Sequence, residues 1–85
     1  MLVRNFTRRL LLRLRMKASD SRVIFRVNNK VQLLDGAESK EIGSNEEEIV
    51  LDLDYKSVTV HNVLKIRSDG PTQFIGIRSI SLDLA

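Results

Sequence analysis

Residues 8–17, RRLLLRLRMK, set five cations among four leucines and one methionine. The fold class turns on whether this run is wound or extended. Wound at about 100° per residue, Leu2, Val3, Phe6, Leu10 and Leu14 share a side, but Leu11, Leu12 and Met16 fall elsewhere. Arg9 and Arg13 also intrude on the apolar arc. Such an Arg-rich, acid-free helix has the form of a mitochondrial presequence. Extended, the run is cleaner: Leu10, Leu12, Leu14, Met16 and Ala18 take one face, and Arg9, Arg13, Arg15 and Lys17 the other, with Leu11 the exception. The strand is the better fit, and the presequence-like helix is the alternative.

The same alternation recurs downstream. Val23, Phe25 and Val27 alternate with Ile24 and Arg26. Asn28-Asn29 then offers two residues that tolerate positive φ, which suits a two-residue hairpin turn into a return strand with Val31 and Leu33. Residues 35–48, DGAESKEIGSNEEE, read as a long polar loop with a short bridge at Ile42. Residues 48–54, EIVLDLD, form a strand with Ile49, Leu51 and Leu53 inward and Glu48, Asp52 and Asp54 outward. SVTV (57–60) and VLKIR (63–67) read as one strand bent near His61-Asn62, and SDGPTQ (68–73), with the single proline, as a turn. FIGIRSISLDL (74–84) closes the chain. Its parity slips between Ile75/Ile77 and Ile80/Leu82/Leu84, which predicts a bulge near Gly76 to Ser79.

These segments predict an all-β fold, a small antiparallel β-sandwich (jelly-roll-like) or barrel of about six strands. A single domain over residues 1–85 is expected, with residues 1–8 as a frayed lead-in. A hydrophobic content of 42% against 29% charged is that of a folded domain. With Phe6, Phe25, Phe74 and Tyr55 as the only aromatic rings, the core must be aliphatic.

Several chemistries are disfavoured. No cysteine is present, so neither disulfides nor thiolate metal sites form, although this fixes no compartment. No apolar run approaches the length of a membrane helix, and arginines interrupt every candidate secretory h-region. His61 is the sole imidazole and reads as structural; no glycine-rich elbow or phosphate loop exists, and Gly36, Gly43, Gly70 and Gly76 are scattered. No catalytic residue, metal site or cofactor is therefore expected. Asn5-Phe6-Thr7 matches a glycosylation sequon, a pattern common by chance.

Charge is segregated. Residues 1–19 hold six cations and no acid, whereas residues 20–85 hold eight bases and eleven acids. The carboxylates Glu46, Glu47, Glu48, Asp52 and Asp54 have the oxygens for a calcium site but no EF-hand spacing, and read as a solvated or salt-bridged face. The cationic face of the first strand has three readings: phosphate contacts, an anionic membrane surface, or pairing with the Glu48/Asp52/Asp54 row across strands. Matching period and opposite sign favour the third.

RVIFRVNNKVQLLD (22–35) resembles the strand–turn–strand of jelly-roll carbohydrate-binding modules and galactose-binding-like domains, written f-x-V-x-V-N-G-k-x-V, with Phe25, Val27, Asn28, Asn29, Lys30 and Val31 at those positions. VLKIRSDG and IGIRSISLDL are similar to the closing strands of such modules. The resemblance implies a sandwich fold and a glycan ligand. It departs in its aromatic supply, since only Tyr55 could serve as an exposed sugar platform, and in lacking the calcium-loop signature of several such families. A second similarity, carried by VTVH and the C-terminal strand pair, is to small OB-like single-stranded DNA-binding proteins of filamentous phages.

The chain is thus expected to be a non-enzymatic binding or assembly module. For a glycan, the candidate residues are Tyr55, Asp52, Asp54, Asp69 and Gln73. In the nucleic-acid alternative they are Arg9, Arg13, Arg15, Lys17 and Arg26. A structural subunit without a small ligand is the third option. A glycan or a protein is the expected partner, and pairing of two copies through an edge strand is open.

Overall fold

Side chains that alternate between apolar and polar bury one face of a strand and wet the other, so each strand needs a second sheet over its apolar face. The computed structural model describes residues 9–69 and 74–84, apart from the side chains of Tyr55 and Asp69. The expectations for residues 1–8, for Gly70 and Pro71, and for Gln73 lie outside the described residues. The strands are β1 (Leu10–Ala18), β2 (Ser21–Val27), β3 (Lys30–Val31), β4 (Lys40–Ile42), β5 (Glu47–Leu53), β6 (Leu64–Asp69) and β7 (Ile75–Leu84), with a 3-10 turn at Tyr55–Ser57.

They form two antiparallel sheets. In the first, β1 is central, flanked by β5 and β7. In the second, β2 is central, with β6 along one side and β3 and β4 in succession along the other. The fold is the expected small all-β architecture, and the extended reading holds for residues 10–17 of that run. Short connections at 19–20 and 43–46 carry the chain between sheets at one end, where the Ala18 amide donates to the Gly43 carbonyl at 2.8 Å.

The core is aliphatic apart from Phe25. Leu12, Leu14, Met16 and Ala18 of β1 meet Val23, Phe25 and Val27 of β2, with Ile42, Ile49, Leu51 and Leu53 completing the cluster. Phe25, Leu14 and Met16 are fully buried. Asn28 and Asn29 have φ of 51° and 69°, the pair of positive values that a type I′ hairpin requires. The expected bulge is also present: Ser79 faces Arg15 and Ile77 faces Met16, which leaves Arg78 without an opposite residue.

Three expectations are corrected. Ile42 belongs to a three-residue strand and is fully buried, rather than forming a bare bridge. Leu33 lies beyond β3 and is exposed, because the return strand ends at Val31. SVTV is not a strand. β6 begins at Leu64, opposite Val27, and β2 turns back at Asn28, so the preceding residues have no strand to pair with. Side chains supply their hydrogen bonds instead. The Asn62 Oδ1 accepts from the Thr59 amide at 2.8 Å, and Asn62 Nδ2 donates to the Thr59 carbonyl at 2.7 Å.

Phe25→Ala is expected to lower unfolding free energy by about 3–5 kcal/mol in a denaturant titration with unchanged slope. Val60→Ala, at a side chain 91% exposed, should stay within about 0.5 kcal/mol of the parent.

Candidate functional site

The cationic row flagged by the sequence lies on the outer face of the first sheet, and its arginines are held there by carboxylates. Arg13 is shared: its Nε donates to Asp83 Oδ2 at 2.8 Å and its Nη1 to Glu48 Oε1 at 3.2 Å. Arg15 Nε donates to Glu46 Oε1 at 2.9 Å, and Arg78 Nη1 reaches the other oxygen of Glu46 at 3.5 Å. Arg9 donates to Asp52 through Nε at 2.8 Å and also through Nη2. The hydrogen bonds to Asp52, and then its charge, raise the Arg9 pKa above its ordinary value. Lys17 lies 6.0 Å from the centroid of the Phe74 ring. The ion-paired groups are 30–72% exposed, so water screens these pairs and each adds little to stability.

The nucleic-acid candidates do not share a surface. Arg26 alternates with the inward Phe25 and Val27 and so stands on the outer face of the second sheet, opposite Val31 and Lys65. Arg9, Arg13, Arg15 and Lys17 stand on the outer face of the first.

The glycan candidates are also divided. Asp52 pairs with Arg9, and Asp54 supports the 3-10 turn by accepting from the Lys56 amide at 3.0 Å. Tyr55 begins that turn. Asp69 sits opposite Arg22, near the start of β2 and thus at the other end of the sandwich. Gln73 is outside the described residues. A shallow concavity of about 420 Å³ runs beside β5, over Asp35, Lys40, Glu48 and Asp52. Among the described side chains its lining contains no aromatic ring. Among the described residues no group of three or more His, Cys, Asp or Glu side chains could hold a metal.

The feature that sequence reasoning missed is apolar. Ile80, Leu82 and Leu84 stand opposite Leu14, Leu12 and Leu10 and therefore point to the core side of the sheet. Yet among the described residues nothing covers that side along much of β7. Exposure climbs from Ile77 at 43% through Ile80 at 52% and Leu82 at 53% to Leu84 at 58%. The two sheets part here into a seam with a cavity of about 210 Å³. Leu12, Leu53, Ile80 and Leu82 form one wall, and Val27, Leu64, Val58 and Asn62 the other. Ile77, Ile80, Leu82 and Leu84 thus form one contiguous exposed apolar row, the kind of surface that often marks an interaction site.

The lip of the seam is fixed by a polar clamp. Asn28 Nδ2 donates to the Ser57 carbonyl and to Asn62 Oδ1, both at 2.9 Å, and the Val63 amide donates to Asn28 Oδ1 at 2.9 Å. The hairpin turn of the second sheet thereby holds the 57–63 segment, with Val58 and Asn62 on the seam wall, in place. Sequence gave no sign of this contact, because Asn28 and Asn62 are 34 residues apart. No family model, curated protein or solved structure matches this chain.

Because the arginine row is tied to carboxylates, retention on heparin should be weak. Arg13→Ala and Arg15→Ala should leave elution unchanged between about 50 and 200 mM salt. A salt-dependent loss of retention in these variants would show the row to be a phosphate-binding surface.

Proposed function

We propose that this chain is a non-enzymatic assembly module that accepts an extended polypeptide strand along the free edge of β7, at the mouth of the seam. The supporting observation is the uncovered core-side face of a ten-residue edge strand. An edge strand presents unpaired amides and carbonyls, and an added strand satisfies them while its alternate side chains enter apolar pockets. The seam supplies the apolar half of that recognition, and the Asn28–Asn62 clamp keeps its far wall in place before a partner arrives. The likeness to carbohydrate-binding modules supports a sandwich, and among the described side chains the concavity beside β5 offers no ring on which a sugar could stack. The nucleic-acid reading has less support, since Arg9, Arg13 and Arg15 already hold carboxylates and Arg26 lies on the other sheet.

A neutral probe tests the docking reading. In dilute, isotope-labelled full-length chain, a lysine-capped decapeptide alternating valine and serine should shift the amide resonances of Ile75–Leu84, Leu12 and Leu64. Leu82→Lys should abolish those shifts. An absence of shifts, or shifts centred on β5, would overturn the reading.

A further inference from the structure

We infer that the strand taken up at β7 is the β7 of a second copy, paired antiparallel about a two-fold axis at Ser81. This rests on the docking reading above and adds the identity of the partner.

The edges of the two sheets differ in whether they tolerate their own image. β5 carries Glu48 and Asp52 on its outer face and turns Glu47 inward, where Oε1 is buried without a hydrogen-bond partner. Two copies of β5 would set carboxylates against carboxylates. β6 carries Lys65 and Arg67 outward, and its self-pairing would oppose cations. β3 and β4 have two and three residues. β7 alone among these is long, without an inward charge, and balanced in sign along its outer face, with Arg78 near one end and Asp83 near the other.

One register matches Ile77 to Leu84 with complementary partners. With the axis at Ser81, Ser81 meets its own copy and Ile80 meets Leu82 of the second copy. The bulge puts Arg78 and Ser79 on the same polar face, and Arg78 there already reaches Glu46. Both then lie opposite the second copy's Asp83, and Ile77 lies opposite Leu84. Apolar side chains pair on the core side, while serines and opposite charges pair on the outer side. The axis is perpendicular to the sheet, so the two seams open onto each other. Leu64 and Ile66 of β6 then share one apolar trough with β7 of both copies.

The test uses the full chain, which has no cysteine of its own. Light scattering should give twice the chain mass, and Ile80→Lys should weaken association by at least about tenfold without altering the monomer's circular dichroism. Ser81→Cys should cross-link to a covalent dimer under mild oxidation, since directly opposed β-carbons lie within disulfide reach. Ser79→Cys, displaced from the axis, should not. A monomer persisting at a chain concentration of about 1 mM, with the valine–serine decapeptide still shifting β7, overturns self-pairing and leaves the docking reading intact. A monomer that also ignores the decapeptide overturns both. A dimer in which Ser81→Cys cross-links no faster than Ser79→Cys overturns the register.

Discussion

Arg13 stands between Glu48 on one neighbouring strand and Asp83 on the other, and the first sheet is organised around that arrangement. The outer face of this central strand carries Arg13, Arg15 and Lys17, and both neighbouring strands bring carboxylates to it. The bonds themselves contribute little, because they are exposed to water. Their effect is on register. A slip of one residue would turn Leu12, Leu14 and Met16 outward, drive the arginines toward Phe25, and remove the carboxylates from reach. Burial of the leucine face supplies the stability, and the charged face selects the pairing.

The seam follows from an inequality between the sheets. β7 runs for ten residues, whereas β6 runs for six and cannot start earlier, because β2 turns back at Asn28. Among the described residues, the upper part of β7 therefore has no strand above it. A domain of this size buries a modest share of its surface in any arrangement. Here the shortfall is concentrated on one strand, and the opposite edge is lined by Leu33, Leu34 and Asp35 beside β5.

Period-two alternation made most of the fold legible. It assigned the buried faces of β1, β2 and β5 residue by residue, and the parity slip in IGIRSISLDL placed a bulge within Gly76 to Ser79, where Arg78 is left unopposed. The Asn28-Asn29 turn was legible because few residues accept two consecutive positive φ values. What alternation cannot report is whether a strand finds a partner: SVTV has the pattern of a strand and is a loop, for want of a neighbour beyond Val27. Nor does it report whether an inward face is covered. Ile80 and Leu82 are written in the same letters as Leu12 and Leu14, so the seam was invisible. The charged candidates were easy to nominate for the opposite reason, since a formal charge is conspicuous in sequence whether or not it is already neutralised.

The alternation of β1 also governs how the chain reaches this structure. The first sheet joins distant parts of the chain, with Leu10 opposite Leu84 and Leu14 opposite Ile49. Such pairings close large loops and form slowly compared with the local β2–β3 hairpin. Until they close, the leucines of β1 are exposed in an extended segment of the kind that seeds intermolecular stacking. The arginines interleaved with them act as gatekeepers: stacked β1 segments from different molecules would align like charges along the growing assembly. The residues that fix the register of the finished sheet thus also keep its slowest strand in solution while it waits for β5 and β7.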